Sequence, residues 1–391
     1  MNPNRILIVY SGWLGDLVWI VPTIHALKTR FESVSLVVSQ VQQPLAEIMK
    51  NGLLEAVYVD CPATRRATAR AVRRQTRADG TATFLDLKGR GKTGLYMPWG
   101  GDRTVLIPHR RDAREYLLAR LLHPRAQCLP RRTDGHMVEA YLSGLRDLGV
   151  AHTPVSFALP FSPQTMDAAE AIARREGLRE VKSVALNPGS AQFSKIWPAT
   201  HFRRLAEILV HDLGCKVVLM GAGRFAPNQD YDRQVARTHF QDGLVTNLVE
   251  ETTLAVDACL LHSGAFTVSV GNDSFANHMA GSASETAPDA PGAVQAANGR
   301  WYRAHHTVSL FGPTNPVFCR PYDPTGAFNT VVQPATYPAN CVYDRQAHTC
   351  PHYGDRYCTD QAHCMQHLTV EQVVEAVAQK LARKDARPDN G

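Results

Sequence analysis

The sequence contains no long hydrophobic run. Within its 391 residues, no stretch approaches the roughly 18 consecutive apolar residues of a transmembrane helix. The opening segment, "MNPNRILIVY", lacks the basic and apolar regions of a signal peptide. These absences predict a cytoplasmic protein, in which the nine cysteines are reduced or metal-bound rather than paired.

Two common nucleotide-binding motifs are also missing. The chain has neither GxGxxG nor GxxxxGK[ST], which disfavours a dinucleotide oxidoreductase and a P-loop NTPase. The glycine-rich "GAGRFAP" at 221–227 does not fit either pattern, and we interpret it as a turn. Aromatic residues are not interleaved with the arginines as stacking platforms, so no nucleic-acid partner is expected.

The order of apolar segments predicts an α/β protein. Strand patterns alternate with helical patterns, first up to about residue 150 and again from 183 onward, which indicates two parallel sheets. A proline-rich stretch at 153–163 separates the two sets. We therefore predict two Rossmann-like doubly wound domains, 1–165 and 166–368, facing an interdomain cleft, with a C-terminal helix and tail at 369–391. The small residues and prolines at 281–300 predict a flexible insertion.

Positive charge is concentrated in the first third of the chain. Arginine-rich segments at 65–77 and 109–125 stand out against a net charge of only +6. Solvated helix faces explain such runs in many proteins. The alternative is a surface for an anionic partner, such as a phosphorylated glycolipid or a membrane face.

Three loops that follow predicted strands carry the polar residues of interest. In "SGWLGD", Asp16 either caps the next helix or serves in catalysis. "NPGSAQFSKIWP" at 187–198 offers small residues, hydroxyls and Lys195 to a phosphate group, or is an ordinary exposed loop. In "GNDSFANH" at 271–278, Asp273 or Ser274 caps a helix whose N–H groups attract a pyrophosphate, whereas a lone histidine such as His278 is more often structural.

Taken together and in this order, these motifs resemble glycosyltransferase family 9, the heptosyltransferases of lipopolysaccharide core assembly, which have a GT-B fold. The resemblance rests on "RILIVYSGWLGDLVWIVPTIHALK", "ALNPGSAQFSKIWPATHFRRLAEIL", "VGNDSFANHMAG" and "SLFGPTNP". It implies that Asp16 is the general base and that Lys195 acts on the departing diphosphate. It also implies that Asp273 accepts hydrogen bonds from sugar hydroxyls and that no metal is needed for catalysis.

The implied donor-binding residues are Gly189, Ser190, Ser194, Lys195, Asp273, Ser274, Phe275, Ala276, Asn277 and His278. The candidate acceptor-binding residues are Gly12, Gly15, Arg65, Arg66, Arg73, Arg74, Lys88, Arg90, Arg110 and Arg111. Two features depart from the family pattern. Phe275 replaces a usual glycine, and the link through 282–305 is longer.

Four cysteines near the C-terminus form a separate candidate site. Cys341, Cys350, Cys358 and Cys364 lie among four histidines, and some members of the family are also cysteine-rich here. Their density suggests a structural zinc or iron site, although the spacing contains no CxxC pair. Unrelated reduced thiols, or disulfides in an oxidising compartment, are the alternatives.

The resemblance implies an inverting glycosyltransferase that uses an ADP-heptose-like donor and an anionic glycolipid acceptor. Such an enzyme would contact the inner membrane surface peripherally. The alternatives are a non-catalytic nucleotide-binding or scaffold protein on the same fold, and a family member with another nucleotide sugar or a non-lipid acceptor.

Overall fold

The computed structural model describes residues 2–87, 93–96, 103–106, 121, 127–128, 135–151, 153–221, 231–249, 251–337, 350 and 364–385. The chain divides into two compact units, residues 1–162 and 163–391. Each unit is built on a six-stranded parallel sheet, which confirms the predicted Rossmann-like class. Among the described residues, no helix combines the length and the apolar character needed to cross a membrane.

The sheet of the first unit has the order β3-β2-β1-β4-β5-β6. Its strands are β1 (Asn2–Tyr10), β2 (Ser33–Ser39), β3 (Ala56–Asp60), β4 (Thr81–Asp86), β5 (Arg103–Leu106) and β6 (Gln127–Cys128). Its described helices are α1 (Leu14–Val18), α2 (Val21–Lys28), α3 (Gln43–Lys50), α4 (Arg65–Ala78) and α5 (Met137–Leu145).

Strand β1 lies in the interior of the sheet. Its apolar run is buried on both faces, as expected for an interior strand of a parallel sheet. Helix α4 packs Ala69 and Val72 against the β1 residues Leu7 and Val9. The apolar segment that follows the "LGD" turn forms two helices, α1 and α2, and not one continuous helix. Pro22 lies in the first turn of α2, where its missing N–H donor is tolerated, and so favours a new helix start.

The second unit repeats the same strand order. Its main sheet runs β15-β14-β10-β7-β8-β9, so the first strand of this unit again lies beside the fourth. The strands are β7 (Ser183–Asn187), β8 (Lys216–Leu219), β9 (Thr246–Asn247), β10 (Val268–Asn272), β14 (His306–Leu310) and β15 (Asn329–Val332). The helices described are α6 (Pro163–Arg175), α7 (Ala199–His211), α8 (Tyr231–His239), α9 (Leu254–His262), α10 (Phe275–Gly281), α11 (Pro316–Cys319) and α12 (Val370–Asp385).

Helix α12 lies within the second unit. Thr369 and Gln372 form a reciprocal capping box, in which the Gln372 N–H donates to Thr369 Oγ1 at 3.3 Å and the Thr369 N–H donates to Gln372 Oε1 at 3.0 Å. The buried residues Val373 and Val377 belong to the same core cluster as Trp197. Helix α12 is therefore anchored to this unit by apolar packing.

The prediction of a flexible insertion at 281–300 is wrong. This stretch and the residues after it form an antiparallel sheet of β11 (Ser284–Glu285), β13 (Trp301–Arg303) and β12 (Val294–Gln295). Tyr302 is buried, and Arg300 Nη1 lies 2.7 Å from Glu285 Oε1. The insertion links the end of α10 to the start of β14, so it lies at the amino-terminal edge of the parallel sheet. Ligands of such sheets bind at the opposite edge.

Candidate functional site

The turn after β1 is held by a buried glutamine. Gln42 Oε1 accepts hydrogen bonds from the N–H groups of Gly12 at 3.2 Å and Ser39 at 3.1 Å, and its Nε2 donates to the Trp13 carbonyl at 3.0 Å. Gln42 is fully buried, so these bonds satisfy an amide that water cannot reach. The sequence did not single out Gln42, because a glutamine in "QVQQP" carries no signal of burial.

Asp16 lies in the first turn of α1 and is half-buried. Its Oδ2 accepts a hydrogen bond of 3.4 Å from the Trp13 N–H, while its backbone carbonyl accepts one of 3.1 Å from the Tyr10 hydroxyl. The carboxylate therefore stabilises the helix start and is still accessible to solvent. Neither Gly12 nor Gly15 adopts a positive φ, so this turn does not depend on the backbone freedom of glycine.

The candidate acceptor arginines occupy different environments. Arg65 Nε lies 2.7 Å from Asp60 Oδ1, which also accepts a 2.7 Å hydrogen bond from the Tyr96 hydroxyl. Because Asp60 is buried, Arg65 neutralises a carboxylate of the fold, which weakens its predicted role as an anion ligand. Arg66 and Arg74 are exposed. Lys88, Arg90, Arg110 and Arg111 lie outside the described residues.

In the second unit, the loop between β7 and α7 is fixed at both ends by one asparagine. Asn272, at the end of the adjacent strand β10, accepts a 3.0 Å hydrogen bond from the Trp197 N–H and donates one of 2.6 Å to the Pro188 carbonyl. The Trp197 indole is buried and donates to the Leu368 carbonyl at 2.7 Å. Lys195, between these anchors, is thereby held beside the end of β10.

Lys195 and Asp273 form the centre of a buried polar cluster. Lys195 Nζ lies 2.7 Å from Asp273 Oδ2, with side chains only 14% and 3% exposed. Thr314 Oγ1 donates to the same oxygen at 2.7 Å, and His278 Nε2 lies 3.4 Å from Oδ1. The structure thus joins residues from the second, third and fourth sequence motifs. Thr314 is in "SLFGPTNP" but was not predicted as a site residue.

The cluster keeps Asp273 ionised. Burial favours the neutral carboxyl, but the charge of Lys195 and the contact with His278 outweigh it and hold the pKa of Asp273 well below its ordinary value. Both carboxylate oxygens already have partners in the protein. A sugar hydroxyl would have to compete with these partners for Asp273.

Helix α10 begins at Phe275, with Ser274 in extended conformation as its N-cap. Ser274, Phe275 and Ala276 are half-buried, so this end of the helix is accessible. Asn277 is fully buried, and its Nδ2 donates to the Gly271 carbonyl at 2.6 Å. The side-chain amide of Asn277 therefore fixes the helix to β10.

The predicted donor loop at 187–198 also packs against a carboxyl group, that of Asp232, which the sequence analysis did not predict as part of the site. A Cβ at Gly189 would lie 2.5 Å from Asp232 Oδ1, and one at Gly221 would lie 2.7 Å from Asp232 Cγ. A side chain at either position would therefore displace the Asp232 carboxyl group, which packs against both backbones. Burial and the nearby charge of Asp257 raise the pKa of Asp232 to about 7.

The serines of this loop are buried. Ser190 and Ser194 are 9% and 3% exposed, and within the described part of the chain the Ser194 hydroxyl makes no hydrogen bond. A buried hydroxyl without a partner is costly in an apolar environment, which favours a bound polar group as its partner.

Residues 111–286 match the model of glycosyltransferase family 9 (heptosyltransferase). The chain carries a glycosyltransferase family 9 domain. This match confirms the predicted resemblance to the family and indicates a glycosyltransferase. No curated protein sequence matches the chain.

Solved structures show that the chain has the GT-B fold. It is similar to a glycosyltransferase family 9 structure from Veillonella parvula, with 20% identity, a TM-score of 0.71 and coverage of 98% of both chains. It also resembles the ADP-heptose lps heptosyltransferase II of E. coli, with 19% identity, a TM-score of 0.64 and coverage of 98% of this chain and 100% of that chain. The iron-containing dodecameric glycosyltransferase TibC of enterotoxigenic E. coli follows with 14% identity, a TM-score of 0.51, and coverage of 98% and 77%.

The cysteine-rich segment near the C-terminus is only partly described. Cys341 and Cys358 lie outside the described residues, while Cys350 is half-buried and Cys364 is buried in the core of the second unit. No group of three or more potential metal ligands occurs within the described ranges. The structural metal site stays a prediction.

Proposed function

We propose that this protein is an inverting glycosyltransferase that transfers a heptose, or a similar sugar, from an ADP-sugar to a lipopolysaccharide-core-like glycolipid. The observation that carries this proposal is the Lys195–Asp273 cluster at the carboxyl end of β10, within a family 9 domain. The donor and the acceptor class follow the name of a structural relative, the ADP-heptose lps heptosyltransferase II.

In the proposed reaction, an acceptor hydroxyl oxygen attacks the anomeric carbon of the donor sugar. The new glycosidic bond forms as the bond from that carbon to the diphosphate oxygen breaks. Asp16 accepts the hydroxyl proton, and ADP leaves with the electron pair of the broken bond. The position of the half-buried Asp16 in the first turn after the central strand β1 supports this role.

The diphosphate needs positive potential as its charge develops. Lys195 supplies a cation that the protein already holds in place, because Asp273, itself held by Thr314, fixes its position before the donor binds. The N–H groups at the start of α10 are further donors. In this proposal Asp273 positions Lys195, and no metal ion takes part in the chemistry.

An anionic acceptor remains part of the proposal. Arg66, Arg73 and Arg74 are retained as candidate contacts, whereas Arg65 is occupied by Asp60. The alternative of a non-catalytic protein on the same fold would not explain why a buried charged cluster is assembled at the strand ends, where ligands of such sheets bind.

A panel of nucleotide sugars tests the proposal. Purified protein is incubated with each donor and with a lipopolysaccharide-core glycolipid, and the released nucleoside diphosphate is measured. We expect ADP release that depends on both the ADP-sugar and the glycolipid. Release from a different nucleotide sugar would change the donor assignment. Absence of release from every donor would refute the enzymatic proposal.

A further inference from the structure

Helix α4 carries a continuous stripe of arginine. Six of its fourteen residues are arginine and none is acidic. At about 100° of rotation per residue, five of the six fall within an arc of about 100°. We call these five residues the arginine stripe: Arg66, Arg70, Arg73, Arg74 and Arg77. The buried residues Ala69, Val72 and Thr76 point away from it toward the sheet.

The charge of the stripe is not neutralised by the described part of the fold. Arg65 is on the buried side and is paired with Asp60, so it does not belong to the stripe. Arg66, Arg70, Arg74 and Arg77 are exposed, and none of them forms an ion pair with another described residue. Such a surface attracts anions over a distance of about one Debye length, roughly 8 Å at physiological ionic strength.

An exposed apolar side chain lies next to the stripe. Arg73 Nη1 donates a 2.9 Å hydrogen bond to the carbonyl of Leu95, and the Leu95 residue is 38% exposed. An aliphatic side chain beside several cations is the combination found in proteins that rest on a bilayer surface. A stacking aromatic residue, as single-stranded nucleic acids require, is not part of the stripe.

The stripe is too long for one ligand group. From Arg66 to Arg77 the helix rises about 16 Å. Since α4 follows β3 and precedes β4, it runs from the carboxyl edge of the sheet, where Asp16 lies, toward the opposite edge. A head group at the catalytic edge would reach only the beginning of the stripe, whereas a charged surface contacts its full length.

We infer that the arginine stripe docks this protein on the surface of an anionic phospholipid bilayer. The inference rests on the proposed function, in which the acceptor is a lipid and therefore lies in such a surface. It extends the predicted acceptor contacts of Arg66, Arg73 and Arg74 to a docking surface that also includes Arg70, Arg77 and Leu95.

Co-sedimentation with vesicles tests the inference without donor or acceptor. The full chain is mixed with phosphatidylcholine vesicles that contain or lack phosphatidylglycerol, at two salt concentrations. Wild-type protein should bind only the anionic vesicles, and more weakly at high salt. Each basic residue near an anionic membrane contributes about fivefold to the binding affinity. The double variant Arg70→Gln/Arg77→Gln should therefore bind the anionic vesicles roughly thirtyfold more weakly. Leu95→Ser should weaken the binding that persists at high salt.

The matched control removes two charges from the opposite face of the same unit. Right-handed crossovers place α2 and α3 on the face away from α4, so Lys28→Gln with Lys50→Gln should leave vesicle binding near wild type. Equal losses in the two double variants would overturn the inference, as would absence of wild-type binding to anionic vesicles. Tighter binding to an RNA or DNA duplex than to anionic vesicles at the same salt would also overturn it.

Failure of the docking surface can be separated from failure of the proposed function. ADP release with a water-soluble, lipid-free acceptor should be unchanged in Arg70→Gln/Arg77→Gln, because neither residue belongs to the catalytic cluster. A lower kcat in that assay would place the stripe in catalysis and contradict the docking assignment.

Discussion

The Lys195–Asp273 pair allows a prediction in which structural and catalytic effects are separated. Lys195→Met keeps the length of the side chain and removes its charge, so it leaves the Asp273 carboxylate buried without its cation. Breaking a buried ion pair on one side costs about 3–5 kcal/mol of stability. Removing a hydrogen bond to a charged phosphate costs about 1.5–3 kcal/mol in the transition state, or roughly 10–150-fold in kcat.

A second substitution removes the structural part of this cost. In Lys195→Met with Asp273→Asn, no unpaired charge is buried, and the amide oxygen still accepts the hydrogen bond from Thr314. We expect the free energy of unfolding to recover most of its loss. We expect kcat to stay low, because the cation that meets the diphosphate is still missing.

The assay combines three measurements on wild type, the single variant and the double variant. Urea denaturation gives the free energy of unfolding, ADP release gives kcat, and calorimetric titration gives the affinities for the nucleoside diphosphate and for the free nucleoside. The diphosphate affinity should fall in both variants, and the nucleoside affinity should stay nearly constant.

Two results would refute this reasoning. A double variant with wild-type kcat would show that the Lys195 charge does not act in the transition state and that the single variant fails only through misfolding. Parallel losses of diphosphate and nucleoside affinity in the folded double variant would place Lys195 at the base or in the fold, away from the diphosphate.

The remaining predictions concern three other sites. Asp16→Ala should fold and bind donor but lose roughly 10²–10⁴-fold in turnover, and near wild-type turnover would remove Asp16 from the mechanism. Burial raises the pKa of Asp257 to about 7, so wild-type stability should fall as pH rises from about 4 through 7. Asp257→Asn should therefore add up to about 4 kcal/mol at pH 8 and little at pH 4, and an unchanged urea profile at pH 8 would contradict this. Elemental analysis of untagged protein should find about one zinc or iron per chain and less in Cys350→Ser; metal-free, folded, anaerobically prepared protein would exclude the site.

The sequence was informative where local chemistry decides the structure. Continuous apolar runs such as "RILIVY" and "SVALN" predicted buried parallel strands, and alternation with helical patterns predicted two doubly wound units. The capping residue Thr369 and the helix it starts could also be identified, because a helix start depends on a few neighbouring residues. The insertion after α10 could not, because its small residues indicate turns and say nothing about strands that pair with each other.

The sequence by itself determined that the polar loops follow buried strands and that Lys195 lies in one of them. Only the tertiary structure decided their partners. Lys195 pairs with Asp273, which lies 78 positions away in the sequence, and Arg65 pairs with Asp60. It also placed Asp232 against Gly189 and put Gln42 under the turn before Asp16. The physical reason is that strand order and register, set by packing across the whole sheet, bring the ends of β7 and β10 together. No local pattern in a single sequence records which strands become neighbours.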